Sequence, residues 1–397
     1  MRLLTFSTLY PNDAAPAHGI FVENRLRHLV GTGAASALVL APVPYFPSRH
    51  PAFGAWARHA AAPPAEQRHG IEVLHPRYLA IPRLGMSAAP FLLYASAVRA
   101  LARLRLAGEM FDLIDAHFLY PDGVAAIWLG RRFSLPVVLT ARGSDVTQWP
   151  GHAVPRRLIR SACAQADAII TVSTGLRDAL AALGVAADRM TVLRNGVDLR
   201  QFAPADRAAA RAALGLTGPT LLAVGSLIPR KGHDLTIAAL AALPAWHLLI
   251  AGEGPERGAL LSLAARLGVS DRVRLLGAWP HGSLAALYNA ADISVLASAR
   301  EGLANVLLES MACGTPVVAS PIAGNDEAVQ MPAAGLIASA RTPAAIADAI
   351  RTLFANMPDR AATRAYATGF GWEPVSRGQL DIFARVLESR RRSGAPS

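Results

Sequence analysis

Residues 298–320 read SAREGLANVLLESMACGTPVVAS. A glycine turn leads into a segment of helical length, and Cys313-Gly314-Thr315-Pro316 turns it into the strand VVAS. Helix–turn–strand order of this kind belongs to a parallel sheet with crossover helices. A helix that begins near Ala304 leaves Glu301 in the loop before it and carries Glu309 on its second turn. The first amides of that helix, near Ala304, Asn305 and Val306, then face outward and suit an anion. Glu301 and Glu309 would flank that anion. Carboxylates accept hydrogen bonds from paired hydroxyls, so this geometry suits a sugar.

The same alternation extends both ways along the chain. RLLTFST, SALVLAPV, FDLIDAHF, PVVLTARG, AIITVS and MTVLRNG read as strands before residue 200, and TLLAVGS, WHLLIAGEG, VRLLGAW, ISVLAS, TPVVAS and AGLIAS after it. Amphipathic segments such as RRLIRSACAQA and LTIAALAAL lie between them. The expected fold is therefore α/β, with two Rossmann-like doubly wound domains. Ligands bind such sheets at the carboxyl ends of strands, where the glycine turns of this chain fall. The turn Asn195-Gly196-Val197-Asp198 marks the boundary, giving domains 1–198 and 199–372, with 373–397 as a C-terminal segment. Residues 44–83 are rich in Pro, Ala, Arg and His with poor periodicity, and read as a long surface loop or amphipathic excursion. The end RRRSGAPS reads as frayed.

GSLIPRKGHD, residues 225–234, holds Lys231, the one lysine beside 38 arginines. Lysine is a compact point charge where arginine is a broad fork. After the strand TLLAVG, Gly225 admits a ligand close to the backbone, and Arg230-Lys231-Gly232 is expected to open a helix. Together these features suit a diphosphate. The AGEGPE turn, with Gly254, reads first as a structural turn and second as a ligand turn, and PIAGNDEAV with Glu327 reads equally as either.

The chain has 397 residues, 52% hydrophobic and 17% charged, which fits a well-buried two-domain protein. Cys163 and Cys313 lack metal-ligand spacing and make no disulfide framework, which suits a reducing compartment. No stretch reaches the length of a membrane span. MRLLTFSTLYPND reads as a first buried strand rather than a secretory signal, so a cytoplasmic location is expected. Net charge is +11, of which +8 falls in residues 1–200. A basic first half suits anionic lipid, an anionic substrate or a merely solvated surface. Scattered arginines without aromatic interleaving do not point to nucleic acid.

Taken in order, NGVDLRQFAP (195–204), VGSLIPRKG (224–232), LIAGEGPER (249–257), VRLLGAW (273–279) and SAREGLANVLLESMACGTPVVAS resemble the retaining glycosyltransferases of family 4. The resemblance spans essentially the whole chain. ARGSDV, FSTLYPNDAAPAHGIFVENRL and DAHFLYPDG are similar to bacterial cell-surface polysaccharide transferases, and GWEPVSRGQLDIF to the family's C-terminal helix that crosses back to the first domain. The resemblance implies the GT-B architecture, two such domains facing a central cleft. It implies a nucleotide-sugar donor as co-substrate and a glycan or lipid-linked acceptor bound by the first half, whose +8 charge is then expected to give peripheral contact with the anionic inner membrane. Lys231 with Arg230 would neutralise the donor diphosphate, which Gly19 also approaches. Glu301 would hold the transferred sugar, Glu309 the ribose, and backbone near Gly277 and Ala278 the base. No cofactor or metal is expected, because the cationic pocket would serve the leaving group and no Asp-x-Asp motif is present.

Two positions depart from the family pattern. Ser226 stands where an arginine often follows the glycine of the phosphate strand, and Arg142 stands where a histidine often precedes Gly-x-Asp. Arg142 is then a residue for phosphate or for an acidic acceptor. His117, ending its strand, is compatible with a cleft-facing or a core position. A nucleotide-sugar epimerase of the same fold is one alternative, and the two departures keep open another, a non-catalytic sugar-nucleotide-binding partner.

Overall fold

The computed structural model describes residues 1–80 and 85–392. The chain forms two units, Met1–Arg194 with Glu373–Ser397, and Asn195–Trp372. The division falls ahead of the Asn-Gly turn rather than after Asp198. The turn is built into the second unit: a Cβ on Gly196 would lie 2.6 Å from the Trp372 ring, and Val197 bridges to Gly371.

The strands of the first unit are Arg2–Phe6 (β1), Ser36–Leu40 (β2), Val43–Pro44 (β3), Ala65–Arg68 (β4), Ile71–Leu74 (β5), Arg77–Tyr78 (β6), Leu113–His117 (β7), Val137–Ala141 (β8), Ala168–Thr171 (β9) and Met190–Val192 (β10). Eight of them form one sheet in the order β10-β9-β8-β7-β1-β2-β5-β4, with β4 antiparallel to β5; β3 and β6 pair separately. LIDAH and VVLTA are buried at every position, as central strands covered on both faces must be. Val22, Leu26 and Leu29 of helix Ile20–Val30 pack on one face. Ile382, Phe383 and Val386 of helix Trp372–Arg392 join the same core, so the end of the chain completes it.

The reading of 44–83 as one irregular excursion is corrected. β4 and β5 extend the main sheet, and a short helix, Ala55–Ala61, precedes them. Only Ile71 and Val73 alternate inward in β5, a pattern too short to stand out, and β4 is a polar edge strand. Residues 81–84 of this stretch and 393–397 of the end expected to fray lie outside the described residues.

The second unit carries Thr220–Val224 (β11), His247–Ala251 (β12), Val273–Gly277 (β13), Ile293–Leu296 (β14), Val317–Ala319 (β15) and Gly335–Ile337 (β16). They form one parallel sheet in the order β13-β12-β11-β14-β15-β16. This is the doubly wound order, and it reverses direction between β11 and β14. All twelve strands expected from the sequence are present.

Candidate active site

Beyond β11 the chain turns through a short 3-10 turn, Pro229–Lys231, and helix His233–Leu240 follows. The helix opens at His233, not at Arg230 as the sequence suggests. Gly232 has φ 69°, and a Cβ there would lie 2.2 Å from the Ala297 carbonyl just past β14. Only glycine tolerates both the left-handed backbone and the close approach. That contact brings the turn against the loop after β14, where Ala299 N donates to Arg230 O at 2.8 Å.

Charges gather at this junction. Lys231 Nζ donates to Glu301 Oε1 at 2.7 Å, Ser298 Oγ donates to the same oxygen at 2.7 Å, and Arg230 Nη1 lies 3.3 Å from it. Glu301 Oε2 takes no hydrogen bond among the described residues. Burial alone would raise the Glu301 carboxyl, but Lys231 and Arg230, with the bonds from Lys231 and Ser298, hold it below the usual carboxylate range. The Lys231 stem runs past Gly225, where a Cβ would sit 3.3 Å from Lys231 Cε. His233 Nε2 donates to Gly225 O at 3.2 Å and fixes the turn from behind.

Helix Asn305–Ala312 begins after Ala304, and no side chain caps it. Its first amides, at Asn305 and Val306, are left to a ligand or to water. Asn305 Oδ1 accepts from Asn195 Nδ2 at 3.0 Å. Glu309 lies on the second turn, buried, its Oε1 2.9 Å from His281 Nε2 and its Oε2 accepting from Tyr288 Oη at 3.0 Å. Each oxygen keeps capacity for a further donor. Gly277 ends β13, and its carbonyl accepts from Gly252 N at 2.8 Å; Gly254 rests on the Leu227 carbonyl, where a Cβ would come to 2.3 Å. The turns after β11, β12 and β13 therefore stack at one sheet edge, with Ala278 just beyond. Glu327 caps the end of the short helix Ala323–Asp326.

In the first unit Gly19 starts helix Ile20–Val30 with φ 69°, and a Cβ would lie 2.3 Å from the Leu9 carbonyl. Arg142 follows β8 and is buried. Its Nη2 donates to His117 Nδ1 at 2.8 Å, and its guanidinium lies 5.5 Å from the Phe21 ring. Because Nδ1 accepts, the proton of neutral His117 is on Nε2, 3.2 Å from Asp115 Oδ2. Gln379 Nε2 donates to Asp115 Oδ2 at 3.1 Å, and Arg25 Nε donates to Gln379 Oε1 at 2.7 Å. Burial pushes His117 down to about 4, Arg142 to about 9 and Arg25 to about 10. His117 is thus a core histidine in a buried polar chain.

The family model described as Glycosyltransferase Family 4 matches residues 38–201, and that described as Glycosyl transferases group 1 matches 206–370. The D-inositol 3-phosphate glycosyltransferase of Mycobacterium tuberculosis is 33% identical over 314 residues, 72% of this chain. The chain spans 65% of the length of that relative. Sucrose-phosphate synthase (tll1590) from Thermosynechococcus elongatus superposes with a TM-score of 0.80 at 22% identity, covering 98% of this chain and 99% of that one. Anabaena Alr3699/HepE, solved in complex with UDP-glucose, superposes at 0.73 and 22% identity over 98% and 99%. The fold is GT-B. The chain belongs to the family 4 glycosyltransferases.

Sequence reasoning finds Lys231, Arg230, Glu301 and Glu309 but misses their holders, Ser298, His233, His281 and Tyr288. Ser298 lies inside the quoted motif and is legible as a hydroxyl close to Glu301. Nothing in the sequence ties His281 to Glu309.

Proposed function

We propose that this protein is a retaining glycosyltransferase that moves a sugar from a nucleotide-sugar to a hydroxyl of a glycan or lipid-linked acceptor in cell-surface polysaccharide synthesis. The observation that carries the reading is Lys231 against Glu301 at the turn after β11, beside an uncapped helix start. The UDP-glucose held by the Anabaena relative supports a nucleotide-sugar donor. Lys231 and Arg230 neutralise the leaving diphosphate, the largest charge that develops in the transition state. Glu301 holds a sugar hydroxyl through Oε2, and Glu309 the ribose. Gly225, Gly254, Ala304, Asn305 and Val306 bring backbone to the phosphates, and Gly277 and Ala278 to the base. Arg142, bonded to His117 in the buried chain of the first unit, is given no ligand role in this reading. The departing phosphate oxygen takes the acceptor proton on the face it leaves, which gives retention without a carboxylate nucleophile. Two cations at the leaving group do the work of a metal, so chelators should not alter the rate.

The acceptor side is proposed to work at the cytoplasmic face of an anionic membrane. Support comes from the first-half charge and from the cluster of Phe46, Phe53 and Trp56, in which the Phe53 and Trp56 ring centroids lie 5.2 and 5.6 Å from that of Phe46. Exposed Arg49 and Arg58 flank it. Arg68 and Arg77 are struts instead: Arg68 pairs with Glu23, and Arg77 donates to the carbonyls of His59 and Ala62. Among the described residues no helix is long and apolar enough to cross a membrane.

Incubation with UDP-, GDP- and ADP-sugars and lipid-linked acceptors, with product configuration read by NMR, tests the reading. Transfer with retention is expected. Inversion rejects the mechanism, donor turnover without acceptor indicates an epimerase, and binding without turnover indicates a non-catalytic partner.

A further inference from the structure

Helix Ala153–Gln165 buries Pro155, Ile159, Ala162 and Cys163 and turns Arg156, Arg157 and Arg160 outward. Beside it, the turn at 184–189 adds Arg189. Between them lies a cavity of ≈650 Å³, a volume typical of small-molecule sites, with four arginines and no carboxylate in its lining. Two of the cations are fixed by neutral groups. Arg156 Nε donates to Pro150 O at 2.8 Å, and Arg189 donates to Ala164 O at 2.9 Å and Ala166 O at 2.5 Å. These bonds orient the guanidiniums without cancelling their charge. None of the four pairs with a carboxylate among the described residues. Arg160 passes beside Gly184, where a Cβ would meet Arg160 Nη2 in ordinary contact at 3.4 Å. Cys163 lines the cavity too, but burial pushes its thiol up to about 12, so the site is built to bind rather than to react.

From these features we infer a second anion site, for a diphosphate-bearing ligand, on the first unit. Arginine forks match phosphate oxygens in pairs, and four uncancelled guanidiniums exceed what one carboxylate needs. The 184–189 turn leads into the start of β10, whereas Arg142 follows the end of β8. In this parallel part of the sheet those are opposite edges, so the cavity is separate from the strand-end residues already described. The inference does not depend on the proposed transferase activity. The same chemistry occurs in a soluble diphosphate and in a lipid diphosphate headgroup.

Calorimetry with inorganic pyrophosphate on full-length protein carrying Lys231→Ala and Arg230→Gln tests it, because that background removes both cations of the proposed donor site. One binding event is expected, weakened about tenfold or more by adding Arg157→Gln and Arg160→Gln. Both residues are exposed, so the fold should survive. If it does not, Ser161→Glu, which puts a carboxylate into the cavity, should weaken binding equally. Absence of binding in the protein carrying Lys231→Ala and Arg230→Gln, or undiminished affinity in the further variants, overturns the inference. Flotation with phosphatidylcholine vesicles carrying a polyprenyl diphosphate identifies the source. Capture that needs Arg157 and Arg160 assigns the lipid headgroup; pyrophosphate binding without capture assigns a soluble ligand.

Discussion

In the second unit Lys231 and Glu301 meet with 14% and 12% of their side chains exposed, and one Glu301 oxygen takes no bond from the described residues. In the first unit His117 and Asp115 meet at 1% exposure each, and Arg142, Gln379 and Arg25 close the chain at both ends. Both clusters pair basic and acidic groups, and both include the end of a parallel strand. The first is left open to solvent on one side, so its charges remain available to a ligand. The second is sealed, so its groups face one another rather than solvent, and the bonds among Arg142, His117, Asp115, Gln379 and Arg25 tie β7, the end of β8 and the C-terminal helix together. The difference predicts that substitutions in the sealed chain act on stability and substitutions in the open cluster act on binding.

Asp115→Asn should have the largest effect. It removes the charge that offsets buried Arg25 and weakens the acceptor of Gln379, and leaving a buried charge without its counter-charge costs about 3–5 kcal/mol. Urea unfolding measures the loss; a cost under about 1 kcal/mol would mean the chain is not the support described. His117 sharpens the contrast through pH. Its ordinary value is 6.5, and burial lowers it to about 4 in the folded protein. Protonation therefore favours the unfolded chain. Stability from neutral His117 is complete above about 6.5 and is lost as pH falls through about 4. The loss across that window is about 3 kcal/mol. His117→Gln should remove this acid slope from the stability profile, and an unchanged slope would contradict it.

In the open cluster the expected effects are smaller and fall on ligands. Glu301→Gln should mainly lower kcat, because in the proposed reaction it holds the sugar that becomes cationic. Glu309→Gln should mainly weaken nucleotide binding, by about 1–2 kcal/mol for one charged hydrogen bond. Equal losses of nucleoside diphosphate affinity in the two variants would erase the division of labour. Smallest is the membrane contact. Neutralising Arg49 and Arg58 should reduce flotation on anionic vesicles by about 1 kcal/mol per arginine, and added salt should mimic the substitution. Wild-type protein that does not float on anionic lipid at low salt would end that idea.

The same contrast explains what the sequence discloses. The open cluster is legible because its members sit in short strand–turn–helix motifs whose residue types stand out from their surroundings. One lysine falls among arginines, and two glutamates stand astride a helix start. The sealed chain is not legible. Gln379 reaches Asp115 across 264 positions and Arg25 reaches Gln379 across 354, and no local pattern encodes such pairings. Twelve strands are readable from buried runs ending in glycine or small polar residues. β4 and β5 escape notice because strands of four residues show too little alternation, and β4 is a polar edge strand. The helix start at His233 is misplaced from sequence because a left-handed glycine against the Ala297 carbonyl is a tertiary contact.

The central claim is that Lys231 is a point charge for a diphosphate in a space that excludes a guanidinium. Calorimetric titration of UDP, GDP and ADP into wild type, Lys231→Ala and Lys231→Arg tests it most directly. The account predicts that the preferred nucleotide binds wild type at one such site, and that Lys231→Ala weakens it by about 1.5–3 kcal/mol. Lys231→Arg should be impaired as well, because the stem is confined beside Gly225 and Glu301. Wild-type affinity in Lys231→Arg would contradict it.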